Sequence, residues 1–329
     1  MDSKLKVGIA GCGRIAQVYL EALRAINGVA LIAACDEDEN KVKPVMELFG
    51  CRGYMFIEEL FGSEDLDCMI VCTPPVFHYG ICKIALNKNV AVLCEKPLAL
   101  SIVEAEELIE NAEGKGRVFM LASKFRFVED VIRAKSIVES GLLGEILYYE
   151  NTFTSVVDMK HRWNSKKEIS GGGVWIDNGS HSVDLLRYLL GPIKSISAQR
   201  ARRIQDLEVE DSISVSIITE SGTLGTIDLS WSIKKEIDHY LSLYGTEGSL
   251  FIGWTKSWYS LKNKSNQVTF GNGYNKFAAF HRQMQHFFNC LRGKEKPLIT
   301  ADDELATIHV VNLGYESMKE NSWIQIEPK

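Results

Sequence analysis

The sequence predicts two domains in series. A doubly wound α/β domain on a parallel sheet is expected over residues 1–124. An α+β domain on a large, mainly antiparallel open sheet is expected over residues 125–329. Three observations predict this. At 329 residues the chain exceeds what one compact core usually serves. Its first part alternates short apolar runs with helical patterns, as parallel sheets with helical crossovers require. Beyond Phe127 and one further helix, the apolar residues recur with period two between turn signals, as in antiparallel strands with one covered face.

The elements follow in order. Residues 6–10, 30–35, 68–72, 90–94 and 118–122 are short, apolar runs that read as buried strands. Residues 15–25, 78–87 and 101–115 between them read as helices. A helix over 128–140 stops at Gly141 and Gly144. The β-rich part then offers strands near 145–155, 194–203, 212–219, 224–232, 239–244 and 249–252, with more beyond. Helices over 276–291 and 301–319 close the chain. No internal repeat or low-complexity segment interrupts this plan.

Composition excludes several classes of function. A net charge of −6 offers no basic face for nucleic acid. The longest apolar stretches run only about eight to ten residues, short of a membrane span. The start, Met1-Asp-Ser-Lys-Leu-Lys, moves straight into a strand without the pattern of a secretion signal, so a cytoplasmic protein is expected. Seven of the eight cysteines fall before Glu95 and none forms a C-x-x-C pair, which reads as reduced packing residues. No metal centre is expected. A metal at Asp177 and His181 would need further ligands that no nearby cluster supplies, and His281 and His286 are poorly aligned at a spacing of five.

The first strand runs into Gly11-Cys-Gly13-Arg14-Ile15-Ala16, a G-x-G-x-x-A pattern. Its small residues permit a tight turn, close approach of backbone to a pyrophosphate, and packing of the next helix. That helix's N-terminus adds free N–H groups and partial positive charge. Asp36 ends the second strand at the spacing of an acid that accepts from ribose hydroxyls and repels a 2′-phosphate. The expectation is a Rossmann domain binding NAD in preference to NADP.

Thr73-Pro74-Pro75-Val-Phe-His78 and Glu95-Lys96-Pro97 follow two later strands, at the carboxyl ends where open α/β sheets bind ligands. Further on stand Ser170-Gly-Gly-Gly173, Asp177-Asn-Gly-Ser-His181 with Asp184, and Pro297-Leu-Ile-Thr-Ala-Asp-Asp303. With these residues essentially the whole chain resembles the glucose–fructose oxidoreductase / inositol dehydrogenase / MocA (Gfo/Idh/MocA) family.

The resemblance implies a dehydrogenase that exchanges a hydride between NAD and a secondary hydroxyl of a sugar, cyclitol or nucleotide-sugar. It implies that Lys96 reaches the reacting oxygen beside the nicotinamide and that the Lys96–Pro97 bond is cis. It makes His181 the general base and Asp177 the residue that binds a neighbouring hydroxyl or holds His181 and Lys96. A histidine suits that task because its ordinary pKa of about 6.5 lies near working pH. Asp177 and His181, four apart, would share one face of a helix, and the glycine run before them would let backbone or ligand approach closely. Gly11, Gly13, Arg14, Ile15, Asp36, Thr73, Pro74, His78, Glu95 and Lys96 are expected around the cofactor, with His78 ordering its loop rather than performing chemistry. Lys124, Arg126, Arg162 and Trp163 are candidates for the substrate or for interdomain packing. Two other readings stay open: a glycosidase or epimerase that reduces bound NAD only transiently, and a non-enzymatic NAD-binding regulator. Relatives often pair through an open sheet face, which implies a homodimer or homotetramer.

Overall fold

Parallel pairing and helical crossovers organise the first part of the computed structural model, which describes residues 4–327. Its elements are β1 (Leu5–Ala10), α1 (Arg14–Arg24), β2 (Val29–Cys35), α2 (Glu39–Phe49), β3 (Arg52–Tyr54), α3 (Ile57–Ser63), β4 (Cys68–Val71), α4 (His78–Asn87), β5 (Ala91–Cys94), α5 (Ile102–Gly114) and β6 (Phe119–Leu121). The strands form one parallel sheet in the order β3-β2-β1-β4-β5-β6. Order reverses beside β1, which opens a crevice at the carboxyl ends of β1 and β4. Both β4 and β5 are buried along their whole length, the reason they read as unbroken apolar runs. The three-residue strand β3, the seven-residue helix α3 and helix α2, which carries Pro44 in its interior, are not among the elements expected from sequence.

The second part contributes α6 (Glu129–Glu139), β7 (Ile146–Thr154), α7 (Lys167–Ser170), α8 (Ser180–Leu190), β8 (Ile193–Arg200), β9 (Ser212–Thr219), β10 (Leu224–Ser230), β11 (His239–Gly245), β12 (Gly248–Gly253), β13 (Ser257–Leu261) and β14 (Val268–Gly271). The chain ends with α9 (Lys276–Leu291), α10 (Ala301–Glu320) and β15 (Ile324–Gln325). Nine strands make one sheet, β14-β13-β12-β11-β7-β10-β9-β8-β15, antiparallel except for the β7–β10 pair. On one face Tyr149, Phe153, Val215, Ile217, Ile227, Leu241 and Leu243 are buried; along β9 they alternate with exposed Ser214 and Ser216.

The chain packs into two compact units, neither of which is a single stretch of sequence. One unit takes in residues up to Lys124 together with Phe277–Leu305; the other takes in Phe125–Lys276 and the chain from Ala306. The reason lies in α9 and the residues after it. Phe280 meets Tyr19 of α1 edge-to-face at 4.9 Å, and Gln283 Nε2 donates to the Tyr19 hydroxyl at 3.1 Å. Glu304 accepts from the Leu121 amide at 2.6 Å. All eight cysteines are buried and free. No helix among the described residues is long and apolar enough to cross a membrane.

Candidate active site

The glycine-rich turn is built as its sequence demands. Gly11 sits at φ +85°, and a Cβ there would stand 2.7 Å from the Cys72 carbonyl and the Thr73 nitrogen. The turn therefore lies directly against the loop after β4. Among the described residues nothing lies within 4 Å of a Cβ built on Gly13, and no side chain caps the first-turn amides of α1. Arg14 is exposed and Ile15 half-buried at this helix start. The Asp36 carboxylate accepts from the Cys12 amide at 2.8 Å and the Asp38 amide at 3.0 Å, so it also fixes the turn. Lys41 Nζ stands 3.4 Å from Asp36, a cation beside the acid that sequence reading had not found.

Two later loops are tied together by His78. Its ring is fully buried, with Nδ1 2.7 Å from the Pro97 carbonyl and Nε2 2.8 Å from the Thr73 carbonyl. Burial pushes its pKa below 6.5, against the pull of both carbonyls. The neutral ring carries one N–H and can donate to only one of them. His78 thus bridges the two loops. His78→Leu should destabilise the chain by about 1–3 kcal/mol by stranding a buried carbonyl, measured by urea unfolding.

The Lys96–Pro97 peptide is cis, and Lys96 is half-buried. Glu95 is buried beside it. Its carboxylate accepts from the Tyr19 hydroxyl at 2.7 Å and from the Lys96 amide at 3.3 Å. Glu95 therefore anchors the loop on α1 through a residue, Tyr19, that no motif had singled out. Pro74 precedes a short 3-10 turn, Pro75–Phe77, that leads into α4. Thr73 Oγ1 is buried and has no hydrogen-bond partner among the described residues.

Asp177 and His181 lie on one continuous helical segment, but not on a regular α-helix. Trp175–Gly179 forms a π-helical turn that carries Asp177, and α8 begins at Ser180. The wider turn changes the angle between the two side chains from that of an α-helical i, i+4 pair. Such turns recur at functional sites because they displace side chains from the regular ladder. His181 is buried and meets the Phe125 ring edge-on at 5.1 Å, while Asp177 is half-buried. The glycine run before them serves the chain itself. A Cβ on Gly172 would overlap the Tyr315 hydroxyl, and one on Gly173 the Glu210 carbonyl.

Arg126 packs inside its own unit. It is buried, pairs with Asp184 of α8 at 2.8 Å and lies 5.1 Å over the Tyr188 ring. A guanidinium placed there holds α8. Lys124 is half-buried, with its ammonium 5.7 Å from the Phe280 ring centre. Arg162 is half-buried and Trp163 exposed, at the start of a short turn before α7. Glu210 and Tyr315 are absent from the sequence-derived set. They lie 29 or more residues from His181, and nothing local to either marks a role.

The residues present fit a dinucleotide. The orphaned Thr73 hydroxyl, the open side of Gly13, the uncapped start of α1 and the acid of Asp36 surround the crevice where the strand order reverses. Residues 5–123 match the model of the oxidoreductase family with an NAD-binding Rossmann fold, and residues 131–251 that of the GFO/IDH/MocA C-terminal domain. The chain is 24% identical over 347 residues to the scyllo-inositol 2-dehydrogenase (NAD(+)) of Bacillus subtilis, covering 100% of this chain and 98% of that one. It is 25% identical over 255 residues to the D-apiose dehydrogenase of Rhizobium rhizogenes, 75% and 73% of the two chains. Levoglucosan dehydrogenase, solved with NADH and levoglucosan, superposes with a TM-score of 0.91 at 19% identity, over 99% of this chain and 100% of that one. The chain belongs to the Gfo/Idh/MocA family of oxidoreductases.

Proposed function

We propose that this protein oxidises a secondary hydroxyl of a sugar, cyclitol or nucleotide-sugar to a ketone with NAD, or runs the reverse reaction. The observation that carries this reading is the presence of Lys96, Asp177 and His181 together in a chain whose relatives are dehydrogenases of polyhydroxylated compounds. Bound NAD supplies the hydride acceptor. His181 takes the hydroxyl proton at one ring nitrogen as the carbon is oxidised. The Lys96 ammonium hydrogen-bonds the reacting oxygen and steadies the charge that develops there. Asp177 orients an adjacent hydroxyl or the His181 ring. Gly11, Gly13, Arg14, Ile15, Thr73 and Pro74 bind the cofactor, with Glu95 and His78 shaping the loops behind it. Lys124, Arg162 and Trp163 contribute to substrate recognition.

Mixing the protein and NAD with scyllo-inositol, myo-inositol, D-apiose, levoglucosan and UDP-glucose should give NADH absorbance with at least one of them. Substrate consumption without net NADH would instead indicate a reaction in which the cofactor is recycled in place. Binding of NAD without turnover of any polyol would favour a regulator.

Asp36 sets the preference for NAD, since its carboxylate opposes a 2′-phosphate. Lys41 offsets part of that charge. Asp36→Ala should shift the ratio of NAD to NADP affinity by about tenfold or more toward NADP, equivalent to about 1.4 kcal/mol, measured by titration calorimetry. An unchanged ratio would remove Asp36 from the specificity set. The second unit's sheet leaves Tyr148 and Leu224, register partners on β7 and β10, exposed on one face. A homodimer or homotetramer formed through that face in the cytoplasm completes the reading, with light scattering as its check.

A further inference from the structure

The segment that carries Asp177 and His181 is gripped at its start by a carboxylate far away in sequence. Glu210 is buried, and its Oε1 accepts three bonds: from the Gly173 amide at 3.1 Å, the Trp175 amide at 3.1 Å and the Tyr315 hydroxyl at 3.0 Å. Its own carbonyl accepts from the Val174 amide at 2.9 Å. One residue therefore satisfies three successive amides that open the helical segment, the positions a regular helix leaves without partners. Tyr315, on α10, closes the arrangement from the other side.

The sterics agree with the hydrogen bonds. Gly172 and Gly173 leave no room for a Cβ beneath Tyr315 and Glu210. Trp175 is fully buried and donates from Nε1 to the Val311 carbonyl of α10 at 2.8 Å. Gly314 and Gly179 both abut its ring, where a Cβ would collide. The π-helical turn is thus fixed at its entry by Glu210 and Trp175, and at its end Gly179 packs on the Trp175 ring, with Asp177 between these two points.

Burial raises the Glu210 pKa above the usual carboxylate value, while its donors act in the opposite direction. Amides inside α8 are bonded within the helix, so an outside acceptor can grip the segment only at its start. This one acts only on residues 173–175, within eight residues of His181. We propose that Glu210, with Tyr315, is a positioning residue for the active site: it sets the turn that aims Asp177 and His181, without touching substrate itself. The proposal rests on the reading of Asp177 and His181 as the proton-handling pair.

The test compares Glu210→Ala, Glu210→Gln and Tyr315→Phe with the parent enzyme and with His181→Ala. Turnover is followed with NAD and the fastest substrate of the panel above, NAD affinity by calorimetry, and amide hydrogen exchange by mass spectrometry over residues 171–182. Glu210→Ala should speed exchange at residues 173–175 and lower kcat by about tenfold to a hundredfold, as a displacement near 1 Å does. Its KM for NAD should stay within about twofold. Glu210→Gln keeps an acceptor oxygen and should recover most of the loss in both readouts. Tyr315→Phe folds most readily and should show the same pattern at smaller amplitude. Faster exchange in Glu210→Ala and Tyr315→Phe with kcat unchanged would overturn the proposal, as would exchange left at the parent rate. If His181→Ala keeps parent turnover, the proton-handling reading falls, and the exchange data alone then decide whether Glu210 holds the turn.

Discussion

His181→Ala is expected to lower kcat by about 10²- to 10⁴-fold, the range for losing a positioned general base. At 1.36 kcal/mol per tenfold, the reaction barrier rises by about 3–5 kcal/mol. NAD affinity should stay near that of the parent, because the glycine turn and Asp36 belong to the other compact unit. Steady-state NADH absorbance and calorimetric titration measure the two quantities separately. An equal fall in kcat and kcat/KM marks an interaction made in the transition state rather than in binding. Lys96→Met should show the same signature. The double variant should lose much less than the product of the single losses, because groups that act as one unit are not additive. Turnover within threefold of the parent in both single variants would defeat the assigned roles.

Gly11→Ala should strike the cofactor side with comparable force. A Cβ at φ +85° is strained by about 1–3 kcal/mol even in open space. Here it would also press on the Cys72 carbonyl and the Thr73 nitrogen at 2.7 Å, both backbone atoms that cannot rotate away. Either the turn or the loop after β4 must shift, and both border the expected pyrophosphate position. NAD affinity should fall by tenfold or more. Thermal unfolding should occur several degrees lower, at about 2–4 °C per kcal/mol for a unit of this size. Gly13→Ala makes the control. Its Cβ enters open space, so stability should hold while NAD affinity falls. A Gly11→Ala protein that melts and binds NAD like the parent would show that the turn is not held against the β4 loop.

These two variants touch different kinds of information in the chain. The Gly11 turn was legible because its requirement is local: strand, small residues, helix and a following acid all lie within thirty residues. The strands on either side were legible for the same reason, since β4 and β5 are buried on both faces and need no partner to reveal them. Asp177 and His181 were legible as a spaced pair, but the π-helical turn between them was not. That turn depends on Glu210, Trp175 and Tyr315, whose partners lie tens to more than a hundred residues away. The pairing of Arg126 with Asp184 was equally illegible, because its partner lies 58 residues away and only folding brings the two together in the core, where an unpaired guanidinium would be costly.

By itself, the sequence determined the parallel sheet, the glycine-rich turn with its following acid, and the antiparallel sheet. Each rests on periodicity or on a short spacing that backbone geometry reads directly. Only the tertiary structure decided that α9 joins the first unit, that His78 bridges two loops, and that the glycine run seats Tyr315 and Glu210. The physical reason is common to all three. Buried donors and acceptors must find partners, and the chain supplies them from wherever folding brings a polar group, a choice that local patterns do not encode.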